Sequence, residues 1–73
     1  MFANAEVAAR VSALMVEFGM RLDASLLEVR ETCPDAEFLA YRDPVSQMMF
    51  DMLVRVMNPI YAVHPHLKPP ELR

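Results

Sequence analysis

Asp43-Pro44-Val45-Ser46-Gln47-Met48-Met49-Phe50-Asp51-Met52-Leu53-Val54-Arg55-Val56-Met57-Asn58-Pro59 is the stretch on which the fold turns. Asp43 is placed to cap free backbone N–H groups, and Pro44 suits a first helical position, where its missing N–H costs nothing. Val45, Met48, Met49, Met52, Leu53, Val56 and Met57 then recur at the i, i+3, i+4, i+7 spacing of one helix face. At about 100° per residue, Gln47, Asp51, Arg55 and Asn58 share a polar arc of roughly 80°. Phe50 and Val54 flank the apolar face and widen it to about 240°, broken only by Ser46, where an ordinary surface helix has a stripe of about 100°. Asp51 and Arg55 stand i, i+4 apart and are expected to pair, a contribution of about 0.2–0.5 kcal/mol. Pro59 removes a backbone hydrogen bond and disfavours helix at Asn58, so the helix is expected to end there.

Upstream, the pattern predicts one long helix from Ala5 to about Glu31. Asn4 is a candidate N-cap, and Glu6 puts negative charge in the first turn. Val7, Val11, Leu14, Met15, Phe18, Leu22, Leu26, Val29 and Cys33 share its main face, and Glu6, Arg10, Glu17, Arg21, Glu28 and Glu31 lie opposite. Glu6–Arg10 and Glu17–Arg21 have the order that suits i, i+4 pairs. A separate apolar strip of Val16, Met20 and Leu27 gives this helix a second neighbour to meet. Gly19, the one glycine, costs about 1 kcal/mol against alanine inside a helix. Close approach of another helix is the expected reason for it; a break near Gly19 is the alternative. Thr32-Cys33-Pro34-Asp35 forms the turn, with Thr32 and Asp35 at capping-box spacing. A short helix from Pro34 to about Arg42 follows, with Phe38, Leu39 and Tyr41 packing inward. A bend before Pro44 is preferred to a straight run with a kink. Beyond Pro59, residues 60–63 make one more turn, and the Pro-rich stretch 64–73 is expected as an extended tail.

Seventy-three residues make one domain, 1–63 helical and 64–73 tail. A chain this short buries only about 60% of its unfolded surface. Yet 55% of its residues are hydrophobic. Self-association reconciles the two. Ten acids and seven bases give a net charge of −3 with no basic block, which argues against a nucleic-acid platform and a helix-turn-helix regulator. No uncharged apolar run reaches the roughly 18–20 residues of a membrane span, and residues 1–6 lack the features of a signal peptide. A single cysteine makes a reducing cytoplasm the expected setting.

Catalytic motifs are absent. Cys33 has no nearby base, as the two histidines lie in the tail, and it reads as a small buried side chain. His64 and His66 supply two ligands where a closed zinc site needs three or four, so no metal or other cofactor is expected. Asp35 and Asp43 read as caps and Asp51 as half of an ion pair, and the Glu-X-X-His of di-iron bundles does not occur. Phosphate loops and hydrolase elbows are missing too. Seven methionines are the least ordinary feature, four of them in the central helix. Packed, they fill a core; exposed, they make an adaptable groove for a partner's helix or an apolar ligand. Pro69-Pro70-Glu71-Leu72 has the form of a docking segment.

The ending Asn58-Pro59-Ile60-Tyr61-Ala62-Val63-His64-Pro65-His66-Leu67-Lys68-Pro69, with Tyr41-Arg42 before the central helix, resembles a group of small uncharacterised bacterial helical proteins. The resemblance implies a bacterial source and an ordered tail, and it transfers no activity or site residue.

The expected architecture is all-α: a long helix antiparallel to the Pro44–Asn58 helix, joined by a short linking helix. Two such hairpins are expected to pair as a homodimer through Met48, Met49, Met52, Leu53, Val56 and the face of Val7, Val11, Leu14 and Phe18. Phe50, Val54 and Met57 complete the expected interaction surface. The expected function is a non-catalytic structural or protein-interaction module, a homo-oligomer or a subunit of a larger assembly. A small apolar-ligand binder with a pocket lined by methionines and Phe50 is the alternative. An enzyme subunit completed by a partner is a third reading.

Overall fold

Asn4 starts the first helix in the computed structural model, which describes residues 1–70. Its backbone is extended, and its Oδ1 accepts from the N–H groups of Glu6 and Val7 at 2.9 and 3.1 Å. Helix α1 runs from Ala5 to Thr32 without a break at Gly19. The Glu17–Arg21 pair forms at 3.2 Å. The expected close approach of a helix at Gly19 does not occur: a Cβ built there meets nothing within 4 Å.

The capping box at the turn does not form either. Thr32 belongs to α1, and its hydroxyl donates back to the Glu28 carbonyl at 2.7 Å. That local bond competes with capping the next helix. Pro34, with φ −60° and no side-chain cap, stands at the N-cap of α2 instead. Cys33 sits half-buried in the turn, its N–H on the Val29 carbonyl at 2.9 Å, and not inside a core.

Helix α2 spans Asp35–Asp51 with Pro44 inside it. The expected separate linking helix is therefore absent, and the alternative, a helix that runs on through Pro44, is the one adopted. Pro44 removes the donor for the carbonyl four residues back, at Ala40. Asp43, instead of capping, lies 3.3 Å from the Arg42 guanidinium. Packing outweighs the local start signal on both sides of the proline. Tyr41 Oη meets Ser25 Oγ at 2.7 Å, and Val45 is buried. A helix held along its length by tertiary contacts tolerates a propensity penalty at one position.

The chain does not stop at Asn58 either. A π-helical segment, Met52–Met57, joins α2 to helix α3, Asn58–Val63, so 35–63 is one continuous rod. The Asn58 N–H donates to the Leu53 carbonyl, five residues back. In an α-helix the Pro59 ring would strike the carbonyl of Arg55. The wider π turn is the known way of inserting a residue without ending a helix. It also rotates the side chains that follow. Asp51 accepts from Gln47 Nε2 at 3.0 Å, and the expected pair with Arg55 is not among the ion pairs of the described residues.

The returning rod lies antiparallel on α1, as the pairings Ser25–Tyr41 and Ser12–Tyr61 require. Ala8, Met57, Ile60 and Tyr61 form the buried core near the two chain ends, with Val11, Met15, Val16, Leu53, Val56 and Leu67 packed around them. Leu14 and Phe18, expected inside the main face, are each 46% exposed. Leu39, expected to pack inward, is exposed as well. The stretch expected as an extended tail folds back at first: residues 65–67 form a 3-10 turn, and buried His64 places Nε2 2.8 Å from the Phe2 carbonyl. The docking segment at Pro69-Pro70-Glu71-Leu72 lies partly outside the described residues. The hairpin measures 45 × 20 × 16 Å. No helix among the described residues is long and apolar enough to cross a membrane.

Candidate functional site

A two-helix hairpin covers each helix from one side only, and the other sides stay open. One such opening is a groove of about 650 Å³ along one side of the seam between the rods. Met15, Val16, Gly19, Met20 and Asp23 of α1 form one wall. Met49, Phe50, Met52, Leu53 and Met57 form the other, and Pro69 closes one end. Gly19 is among the lining residues, and a Cβ built there meets nothing within 4 Å. Sequence reasoning took this glycine for a helix-packing contact. In the structure it lines the groove and touches no other helix.

The eight residues of the expected surface divide. Met49, Phe50, Met52 and Leu53 line the groove, with Phe50 58% exposed. Met57 reaches the groove but is largely buried in the core, and Val56 packs against that core. Met48 and Val54 are exposed and lie outside the groove lining. Met20, expected only in a side strip, is the most exposed of the large apolar side chains among the described residues at 68%.

Among the described residues, Asp23 is the one titratable side chain in the groove lining. A smaller depression of about 340 Å³ on the turn side of Asp23 involves Leu27, Arg30, Phe38 and Arg42. The Arg42 guanidinium lies 6.0 Å from the Phe38 ring centre there, a cation–π contact. The His64 and His66 rings meet edge to face at 6.0 Å, and His64 already uses Nε2 on Phe2. Among the described residues no three His, Cys, Asp or Glu side chains converge as a metal site would need. Every buried side-chain nitrogen and oxygen among them has a hydrogen-bond partner. Among the described residues the groove is thus a mainly apolar surface with the Asp23 carboxylate on its wall, suited to van der Waals contact.

No family model, curated protein sequence or solved structure matches the chain.

Proposed function

We propose that this protein is a non-catalytic interaction module whose methionine-rich groove receives an apolar helix face of another subunit, in a homo-oligomer or a larger all-α assembly. The carrying observation is the open groove flanked by Met20 at 68% and Phe50 at 58% exposure. Large apolar groups left standing beside a concavity mark interaction surfaces, because each loses contact with water when a partner fills the space. Methionine suits such a wall, since its flexible thioether adapts to the shape it meets. Net charge −3 with no basic block points to a protein partner ahead of nucleic acid.

The groove volume supports a second reading. At about 650 Å³ it falls within the usual range of small-molecule sites, and an acyl chain or other apolar ligand would meet methionine and Phe50 along its length. Native mass spectrometry of the untagged protein from its own cells separates the two. A mass above 8.3 kDa made of polypeptides supports the module. A single chain carrying an apolar small molecule supports the binder. A bare single chain contradicts both.

A further inference from the structure

Glu6, Ala9, Ala13, Val16, Met20, Asp23, Leu27 and Arg30 recur along α1 at alternating steps of three and four, the spacing of a coiled-coil seam. This seam runs beside the line that packs on the returning rod, which uses Ala8, Val11, Ser12, Met15 and Ser25; half-buried Val16 belongs to both, with one side against the core. None of its members is buried, and Met20 and Leu27 are 68% and 49% exposed. The sequence of side chains along it is complementary to its own reverse. Laid antiparallel about a two-fold axis level with residue 18, Val16 meets Met20 of a second copy and Ala9 meets Leu27. Ala13 meets Asp23, and Glu6 meets Arg30. Small sits against large, and the end charges are opposite. The axis falls almost at the midpoint of Ala5–Thr32, so the two helices overlap over nearly their whole length. In parallel register the same seam would set Glu6 on Glu6, Asp23 on Asp23 and Arg30 on Arg30, which like-charge repulsion disfavours.

We infer that the occupant of this face is a second copy of the chain, docked antiparallel through the seam centred between Val16 and Met20. The inference rests on the module reading above and names its partner. The surface area agrees with it. The chain exposes 5216 Å², whereas a compact monomer of this mass exposes about 4,600 Å². The excess, about 600 Å², approaches the roughly 800 Å² that each partner buries in a standard interface. Val16, Met20 and Asp23 also form one wall of the groove, so the partner's helix lies against Phe50 as well. Asp23 opposes a small alanine and keeps its access to water, which limits the cost of a carboxylate in the seam.

Cysteine cross-linking of the full chain tests the inference. In a Cys33→Ser background, Ala9→Cys and Leu27→Cys are introduced together. These positions lie about 27 Å apart on one helix, and a disulfide spans Cα atoms only about 6 Å apart, so any bond formed is between chains. Mild oxidation at micromolar concentration is expected to give a covalent dimer whose peptide map joins position 9 of one copy to position 27 of the other. Bonds joining 9 to 9 and 27 to 27 overturn the antiparallel seam but leave the module intact. An oligomer by light scattering that does not cross-link, or one built with a different polypeptide, does the same. A monomer overturns both readings. Independently, Glu6→Arg is expected to weaken dimerisation about threefold or more, and Glu6→Arg with Arg30→Glu to recover it. Failure of the recovery, with helix content unchanged, removes the end-charge pairing on which the register depends.

Discussion

Tyr61 and Tyr41 act as spacers between the rods. Each hydroxyl reaches a serine of α1, Tyr61 on Ser12 at 2.6 Å and Tyr41 on Ser25 at 2.7 Å. Ser12 is buried, so Tyr61→Phe strands its hydroxyl, and urea unfolding should show a loss of about 0.5–1.5 kcal/mol. Gly19→Ala should move stability the other way. A Cβ there has open space around it, and the gain in helix propensity is about 1 kcal/mol, read from the same unfolding curves. The Asn4 cap was legible from sequence because nothing competes for its side chain. Thr32 was not, because its hydroxyl has a carbonyl of its own helix within reach. The serine–tyrosine ties also escaped notice, as their partners stand 49 and 16 residues apart in the chain.

The elements show where local signals mislead. Asp43-Pro44 looks the same at the start of a helix and in the middle of one. What decides is whether the preceding turn is packed, and Tyr41 and Val45 pack it. Pro44→Ala restores a donor to the Ala40 carbonyl without disturbing the rod. Stability should rise by roughly 1–3 kcal/mol with helix content by circular dichroism unchanged or slightly higher. A fall in stability would mean that the proline shapes the rod. Asn58-Pro59 misled in a similar way. A π turn leaves no periodic trace in a sequence, and its wider ring lets a proline follow without ending the helix. The apolar arc was legible from residue spacing. Its division between core and groove was not, because the π segment rotates the residues after Asp51 relative to those before it. Hence Met57 is buried while Met48, expected on the same face, is exposed.

At the scale of the molecule, two layers of helix give Ala8, Ile60 and Tyr61 full cover near the chain ends and leave the flanks of both rods bare. All-α class and antiparallel return followed from periodicity and one turn, and the groove required knowing which side of each rod faces the other. A partner that fills the groove stabilises the folded state by mass action, so the central claim is one about concentration. Sedimentation equilibrium of the untagged chain over a micromolar concentration series tests it directly. A reversible association toward at least twice the 8.3 kDa chain mass is the predicted result; a folded, stable species that stays at 8.3 kDa throughout would contradict it.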